Sequence, residues 1–424
     1  MRFLLLIVAT AVALRTEPNP THAAEGPPKR VAAIVTAYYH NSHADVIVSR
    51  LLQTHTLDGK GKSPRMQLVS LYTDQVPEND ISRKLARQYG FPIYDNVAEA
   101  LTLGTGRLAV DGVLLVAEHG KYPTSETGQT QYPKRRLFEQ VVRVFEQSKR
   151  VVPVFIDKHL ADNWKDAKWT YDTARRMKIP LMAGSSLPVL WRYPAVDVKR
   201  GGRLKEIVAV SYHTLDGYGF HALEMVACLA ERRRGGETGV AKVQMLSGEA
   251  VWEAGRRKVY DAALLEAALA RLKRPPRTDR PLEQQVREPV LWVIDYADGL
   301  RASVLTLNNA VGEWSVAWRE GEDTVQSTLF WTQEARPLMH FTYLVDGIDR
   351  MMQTGKPTWP VERTLLTSGV LDALLISGRR AKESKPTAGH GTIMETSHLR
   401  FAYASPFDWR QPPPPPPGRP LAGQ

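Results

Sequence analysis

The sequence has only one cysteine, Cys228, among its 424 residues. A single cysteine excludes an intrachain disulfide and any metal site built from a cluster of thiolates. Cys228 lies in the apolar run His221–Glu231, which has the pattern of a helix. We therefore expect its side chain to be an inert part of the core.

Long apolar stretches are scarce as well. The mainly apolar run Phe3–Leu14 follows Arg2 and is too short to cross a bilayer comfortably. Small residues at Ala23 and Ala24 then offer a cleavage site, so residues 1–24 are predicted to be a signal peptide, with a retained anchor as the alternative. We expect an exported chain, periplasmic or secreted, whose mature part has no stable membrane span.

Acidic residues are outnumbered by basic ones, which gives a formal net charge of +11. The basic residues are scattered, apart from short runs such as Lys134–Arg136 and Arg232–Arg234. Neither run is interleaved with the aromatic residues typical of nucleic-acid binding. The charge therefore predicts a dispersed basic surface and no nucleic-acid partner.

Glycine is missing where a dinucleotide-binding domain most needs it. Val31–Val35 has the composition of a buried strand, and Ala44–Leu52 has a helical pattern. The turn between them should carry a glycine-rich phosphate loop, but Tyr38, Tyr39 and His40 occupy it instead. Because bulky side chains keep backbone amides away from a pyrophosphate, the usual cradle is either absent or rebuilt.

Strand and helix patterns alternate through residues 30–185, which predicts a doubly wound parallel sheet. Several short strand-like runs with short polar joints between residues 289 and 331 predict an antiparallel meander. We predict a Rossmann-like domain over residues 25–188 and an α+β domain over 189–405. A proline-rich tail, 406–424, is expected to be disordered.

Ionisable residues follow the strands of the first domain at their carboxyl ends. Asp74 follows the second strand, Glu118 and His119 follow Val110–Val116, and Asp157-Lys158-His159 follows Val151–Ile156. Ligands of open α/β sheets bind at this edge. An acid at the position of Asp74 is where a ribose hydroxyl would be bound, and its charge favours NAD over NADP.

Asp157-Lys158-His159 resembles the Glu-Lys-Pro motif of the glucose-fructose oxidoreductase/inositol dehydrogenase (Gfo/Idh/MocA) family. Asn96–Leu101 and Val110–Val113 resemble that family's segments around its fourth strand. Gly217–His221 is similar to its Asp-x-Gly-x-His motif, with glycine in place of the aspartate. The resemblance implies a Rossmann-like parallel sheet followed by an α+β domain with an open-faced, mostly antiparallel sheet.

The resemblance also implies an oxidoreductase that uses NAD or NADP on a hydroxyl of a small sugar or polyol. Lys158 and His221 are the implied catalytic residues, the histidine as general base and the lysine as the cation that lowers the hydroxyl pKa. Substrate contacts are expected from His159, Asp216 and Glu224. Cofactor contacts are expected from Thr36, Tyr38, Tyr39, His40, Asp74, Glu118, His119 and Lys158. A homo-oligomer would form through the C-terminal sheet.

Two alternatives stand beside this hypothesis. An exported chain meets no pool of soluble nicotinamide, so a cofactor-free, catalytically degenerate carbohydrate-binding protein of the same fold is the first. The second is a metal-dependent enzyme whose ligands are histidines near the same edge, for which the sequence has no ligand motif. These histidines are His40, His43, His119, His159 and His221.

Overall fold

The structure is a computed structural model that describes residues 26–333, 335–383 and 391–413. The predicted signal peptide, residues 1–24, lies outside the described residues, as do residues 414–424 of the predicted tail. Within the described part, no helix combines the length and the apolar character needed to cross a bilayer.

The first half of the chain forms a six-stranded parallel sheet in the order β3-β2-β1-β4-β5-β6. Its central strands are buried on both faces, which is why they are continuous apolar runs in the sequence. The strands are β1 (Lys29–Val35), β2 (Met66–Thr73), β3 (Ile93–Tyr94), β4 (Gly112–Val116), β5 (Val154–Asp157) and β6 (Leu181–Gly184). The helices are α1 (His43–Leu52), α2 (Ser82–Tyr89), α3 (Val97–Thr102), α4 (Lys134–Ser148) and α5 (Trp164–Met177). The predicted Rossmann-like sheet is confirmed.

The strand order reverses direction between β1 and β4, and both strands end at the same edge of the sheet. In a doubly wound fold this reversal opens a crevice at the carboxyl ends of the strands, where ligands bind. Thr36 after β1, Glu118 after β4 and Lys158 after β5 therefore lie at one edge, as their positions in the sequence predict.

The second half forms an eight-stranded mixed sheet in the order β14-β9-β10-β11-β8-β12-β13-β7. Only β8 and β11 pair in parallel, so the predicted mostly antiparallel sheet is confirmed. Its strands are β7 (Trp191–Tyr193), β8 (Leu204–Ser211), β9 (Val240–Ser247), β10 (Val290–Tyr296), β11 (Arg301–Thr306), β12 (Trp314–Glu320), β13 (Thr324–Trp331) and β14 (Met394–Glu395). Its helices are α6 (Gly217–Ala230), α7 (Glu249–Arg256), α8 (Ala262–Leu269), α9 (His340–Thr354) and α10 (Val361–Glu383).

Helix α9 returns to the first domain and holds α1 in place. Arg50 of α1 is fully buried, and its guanidinium donates to Thr342 Oγ1 at 3.1 Å and to the Leu338 carbonyl at 2.9 Å. A buried arginine is stable only when its donors are satisfied, so this contact fixes α1 against the C-terminal half. The residues that begin α1 therefore have a fixed position at the crevice.

The prediction of a disordered tail from residue 406 is wrong for residues 406–413. Trp409 donates from Nε1 to the Leu190 carbonyl at 2.8 Å, and its ring lies 4.3 Å from the Arg192 guanidinium carbon. Trp191 donates to the Pro412 carbonyl at 2.7 Å. Proline-rich composition predicted no packing, but the two tryptophans supply the buried contacts that order this segment.

We expect Trp409→Ala to lower the free energy of unfolding by about 2 kcal/mol, because it removes a packed indole, a hydrogen bond and a cation–π contact. Urea denaturation of the full chain measures this loss. Arg410→Ala, at an exposed neighbouring position, is the control and should change the free energy by less than about 0.5 kcal/mol. Equal stability of the two variants would show that the tail is not docked.

Candidate functional site

A buried carboxylate, Glu118, lies at the centre of the site. It follows β4, and its side chain is only 2% exposed. Lys134 and Lys158 both form salt bridges with it, the second at 2.9 Å between Nζ and Oε2. His159 Nδ1 lies 3.6 Å from the same carboxylate. One anion therefore holds together the residue after β4, the start of α4 and the residues after β5.

Lys134 is the structural member of this network. Besides Glu118, its ammonium donates to the Asp157 carbonyl at 2.8 Å and to the His159 carbonyl at 3.0 Å. Three acceptors satisfy its three N–H groups, as burial of an ammonium requires. The composition had predicted dispersed surface charge here, and Lys134 is 2% exposed.

Lys158 occupies the turn directly after β5 and has a left-handed backbone, with φ of 49°. Its amide donates to the Gly184 carbonyl at 3.2 Å, which anchors this turn to β6. A non-glycine residue in this conformation is uncommon and is held only by its surroundings, here the Glu118 salt bridge. A Cβ on Gly217 would lie 3.5 Å from Lys158 Nζ, so the lysine reaches the start of α6.

The network keeps Lys158 charged. Burial pulls the pKa of Lys158 down, but the charge and hydrogen bond of Glu118 outweigh burial and raise that pKa above its ordinary value. Burial likewise favours the neutral form of Glu118, yet the Lys134 and Lys158 charges hold its pKa well below the ordinary value. The site therefore presents an ammonium at the cleft between the two domains.

His221 lies on α6 one turn after Gly217, the residue that Lys158 Nζ approaches. Burial lowers the pKa of His221 well below its ordinary value, and the charges of Lys158 and His43 lower it further. Its buried Nδ1 has no hydrogen-bond partner among the described residues. The two catalytic residues implied by the resemblance thus lie in one cleft, as an ammonium and a neutral imidazole.

His159 and Asp216, predicted to contact substrate, pair with one another. His159 Nε2 lies 3.4 Å from Asp216 Oδ1, and Asp216 Oδ2 accepts from the Thr130 amide at 3.0 Å. Burial lowers the pKa of His159, but Asp216 and Glu118 raise it overall. His159 is thus enclosed between the carboxylates of Glu118 and Asp216 and connects the two.

Two predicted site residues are wrong. Glu224 is fully buried and accepts hydrogen bonds from Thr364 and Thr367 hydroxyls at 3.1 and 2.9 Å, so its carboxyl group serves packing between α6 and α10. Tyr38 is also fully buried, and its hydroxyl lies 2.8 Å from Ser49 Oγ inside the first domain. Both side chains are thus enclosed inside the protein.

The crevice between β1 and β4 is filled by four side chains, Tyr39, His43, His119 and Asp157, here called the crevice cluster. Tyr39 and His119 are joined by a hydrogen bond of 2.9 Å between the hydroxyl and Nδ1. His43 Nδ1 lies 2.6 Å from Asp157 Oδ2. The His43 and His119 rings meet edge to face, with centroids 5.2 Å apart. The cluster spans from the end of β1 to the end of β5.

The N-terminus of α1 binds a carboxylate of its own helix. Asp45 accepts from the Asn41 amide at 2.8 Å, from Ser49 Oγ at 2.7 Å and from the Arg336 guanidinium at 2.7 Å. A helix N-terminus attracts anions, and this is where a Rossmann fold binds a pyrophosphate. Here the anion is Asp45, and Arg336 neutralises it.

Asp74 has a comparable set of internal partners. Its carboxylate accepts from Tyr72 at 2.8 Å, Tyr122 at 2.7 Å and Arg136 at 2.7 Å. Burial raises its pKa, but the hydrogen bonds lower it overall, so Asp74 is ionised and engaged. Because Arg136 cancels its charge, the expected preference for NAD over NADP loses its basis.

The remaining predicted cofactor residues do not form a phosphate cradle. Thr36 is buried, and its hydroxyl accepts from the His119 amide at 3.3 Å. The side chain of His40 is 67% exposed and lies 3.9 Å from Asp45. With Asp45 at the helix terminus and the crevice cluster across the switch point, the residues present do not fit a dinucleotide in this arrangement.

A metal centre finds no support in residues 26–333, 335–383 and 391–413. No group of three or more histidine, cysteine or acidic side chains there has the geometry to hold a metal ion. The histidines of the metal-enzyme alternative are divided among ion pairs and ring contacts instead, such as His43 with Asp157 and His159 with Glu118.

Sequence reasoning missed the His43–Asp157 pair, Lys134 and Arg336. His43 and Asp157 are 114 positions apart, so no local pattern links them. Lys134 had one usable signal, because Pro133 directly before a helical run marks a helix start near the ligand edge. Arg336 had none.

Neither a protein-family model nor a curated protein matches the chain. Solved structures do. GenD2 from gentamicin A biosynthesis, in complex with NAD, superposes with a TM-score of 0.54 at 14% identity, covering 89% of this chain and 99% of GenD2. The scyllo-inositol dehydrogenase from Lactobacillus casei gives 0.51 at 10% identity, covering 87% and 98%.

The likeness to these structures extends over both sheets and defines a two-domain dehydrogenase fold. It is the fold of the Gfo/Idh/MocA family, so the resemblance seen in the sequence motifs is confirmed at the level of the fold. The motif around Lys158 and His221 thus predicted the fold correctly from a few residues.

We expect Glu118→Gln to lower the free energy of unfolding by about 3–5 kcal/mol at neutral pH, because it leaves two buried ammonium groups without an anion. Glu139→Gln, which breaks the part-exposed pair with Arg135, is the matched control and should cost less than about 1 kcal/mol. Urea denaturation measures both. Equal effects would contradict the central role of Glu118.

The wild type and Glu118→Gln should also differ in how their free energies of unfolding depend on pH. The pKa of Glu118 is depressed from its ordinary value of 4.5, so its stabilisation is fully present above that pH and is lost as the pH falls toward the folded-state pKa. Denaturation at stepwise lower pH should therefore show the gap between the wild type and Glu118→Gln narrowing only below about pH 4.5. A constant gap would count against an ionised Glu118.

Proposed function

We propose that this chain is an oxidoreductase that acts on a hydroxyl group of a small sugar or polyol in the cleft between its two domains. The observation that carries the proposal is the convergence of Lys158 and His221 from different domains on one cleft. The fold, shared with dehydrogenases, supports the same class of reaction.

The two groups have complementary roles in such a reaction. An ammonium next to a hydroxyl lowers the hydroxyl pKa, and a neutral imidazole can accept the proton or a hydrogen bond. Lys158 is held charged by Glu118, and His221 is held neutral by burial and by the Lys158 charge. Both states exist before substrate binds, so the site is organised in advance.

A polyol substrate is supported by the polar atoms that remain without partners. His119 Nε2 and His221 Nδ1 are buried and make no hydrogen bond within the described residues. Adjacent hydroxyl groups of a cyclic polyol would satisfy such atoms together with the Lys158 ammonium. The scyllo-inositol dehydrogenase that shares the fold supports this substrate class.

Oxidation of a hydroxyl needs a hydride acceptor. GenD2 was solved in complex with NAD, which supports NAD or NADP as that acceptor in our proposal. A bound nicotinamide ring supplies hydride chemistry that no protein side chain provides. Entry of the dinucleotide would require the Tyr39–His119 contact to open and Asp45 to yield its place at α1, while the His43–Asp157 pair stays closed.

The filled crevice favours a second candidate function, a carbohydrate-binding protein of the same fold that uses no dinucleotide. Tyr39 pairs with His119, and Asp45 pairs with Arg336, where a dinucleotide would bind. Such a protein would keep the cleft and its polar groups but carry out no hydride transfer.

Two further parts of the hypothesis remain proposals. Export through residues 1–24 rests on the signal-peptide pattern of the sequence. Self-association through the C-terminal sheet rests on the resemblance to the family. Mass spectrometry of the mature N-terminus and analytical ultracentrifugation test these two points respectively.

Binding of NAD and NADP separates the two candidate functions. If the oxidoreductase proposal is correct, one of the dinucleotides will raise the melting temperature of the full chain, and the pair of dinucleotide and myo-inositol or another polyol will give reduced nicotinamide. If neither dinucleotide shifts melting while a polyol does, the carbohydrate-binding alternative holds and the oxidoreductase proposal fails.

We predict that Lys158→Met and His221→Gln each lower kcat by about 100-fold or more while the far-ultraviolet circular dichroism stays that of the folded protein. Formation of reduced nicotinamide with the polyol found active above is the measurement. His398→Gln changes a histidine of the 3-10 turn Ser397–Leu399 whose ring packs on Trp164; it is the control and should keep the wild-type rate. Wild-type turnover in either cleft variant would show that the substituted residue takes no part in the reaction.

A further inference from the structure

His43 and Asp157 form the best-defined acid–base geometry in the crevice. The Nδ1 atom of His43 lies 2.6 Å from Asp157 Oδ2, a distance typical of a strong, charge-assisted hydrogen bond. Asp157 is buried, with its side chain 1% exposed, while the side chain of His43 is 15% exposed. A buried carboxylate thus orients a histidine that keeps some access to solvent.

The hydrogen bond defines which nitrogen of His43 is available. Because a carboxylate accepts, Nδ1 must carry the proton, which leaves the lone pair of the neutral ring on Nε2. No described residue hydrogen-bonds Nε2. Phe341 and His119 hold the ring edge to face, at centroid distances of 5.0 and 5.2 Å. The ring is therefore fixed with its basic nitrogen unoccupied.

His43 lies close to the other groups of the cleft, because its ring packs against His119, the residue after Glu118, and its partner Asp157 directly precedes Lys158. The pKa values of three other histidines around the cleft, His119, His221 and His340, are lowered. Burial is the largest cause in each case, and it brings the pKa of His119 and of His340 to about 3. The lowered pKa values favour the neutral form of all three rings, and no carboxylate among the described residues lies as close to them as Asp157 does to His43.

His221 is a poor proton acceptor by comparison. It is part-buried, the Lys158 charge lowers its pKa, and a proton on its ring would add a second positive charge near that lysine. A proton on His43 would instead face Asp157. The arrangement suits His221 to hydrogen bonding with substrate and suits His43 to accepting the proton.

We propose that the His43–Asp157 pair is the proton acceptor for the substrate hydroxyl, with His43 as a catalytic residue and Asp157 as the residue that positions it. This inference rests on the proposed action on a hydroxyl. In the step, the substrate O–H bond breaks, its proton bonds to His43 Nε2, and the electron pair stays on the oxygen beside the Lys158 ammonium. Asp157 keeps Nδ1–H and stabilises the imidazolium.

The pair also gives a physical reason for the altered first turn. His43 is the first residue of α1, in the segment where a dinucleotide-binding domain carries glycines. A glycine-rich loop lets a phosphate approach, whereas this turn aims an imidazole across the sheet edge to Asp157 at the end of β5. The crevice therefore contains acid–base groups in the place of a phosphate cradle.

Nitrogen-15 NMR of histidine-labelled full-length protein tests the geometry without substrate. At a pH above the usual titration range of histidine, we expect His43 to give the signals of a ring that is protonated at Nδ1 and unprotonated at Nε2. Asp157→Asn should shift the ring toward the other tautomer, because the amide nitrogen can donate to Nδ1. His43→Gln identifies the signals. A wild-type ring protonated at Nε2 would overturn the proposal.

Kinetics test the proton transfer itself, with the polyol found active in the dinucleotide experiment. His43→Gln should lower kcat by about 100-fold or more and leave KM nearly unchanged. Added imidazole should restore part of the rate in His43→Ala, whereas a purely structural role would give no such rescue. His398→Gln is again the control. A His43→Gln enzyme with the wild-type kcat would contradict the proposal.

The two hypotheses fail in different ways. If the wild type oxidises no polyol, the proposed function fails, and the His43 pair is then judged by NMR with myo-inositol as the probe. A myo-inositol-dependent shift at His43 Nε2 would support a hydroxyl at this nitrogen, and a shift confined to other histidines would overturn it. If the wild type is active but His43→Gln is equally active, only the present inference fails.

Discussion

The site depends on one buried carboxylate shared by two lysines. Glu118 binds the Lys134 and Lys158 ammonium groups, and each lysine connects it to a different element. Removing the anion would leave two like charges buried within the same small volume, which is strongly unfavourable. The position of the turn after β5, and with it the cleft, therefore depends on Glu118.

This network and the crevice cluster have opposite consequences for a ligand. Glu118 keeps Lys158 charged at the cleft. In the crevice cluster Tyr39 pairs with His119 and His43 pairs with Asp157, while Asp45 accepts from the Asn41 amide before α1. The cleft thus carries a charged lysine, whereas the crevice beside it is occupied by side chains that pair with one another, His43 and Asp157 among them.

The sequence predicted the fold well because its signals are local. Apolar strands alternating with helical patterns predicted the parallel sheet, and the residues after each strand predicted the ligand edge. Tyr38 and Glu224 were misplaced because motif alignment gives a position but not the direction of a side chain. The tail was misjudged because composition does not show that Trp409 has a partner at Leu190. Pairs such as His43 with Asp157 depend on the tertiary fold alone.

The ionisation state of Lys158 tests the central claim most directly. Carbon-13 NMR of lysine-labelled protein follows the Cε signal of Lys158 during a titration with base, with Lys158→Met to identify the signal. If Glu118 governs the site, Lys158 stays an ammonium through its ordinary pKa of 10.5 in the wild type and loses its proton at lower pH in Glu118→Gln. A wild-type Lys158 that titrates below its ordinary value, or one unaffected by Glu118→Gln, would contradict this account.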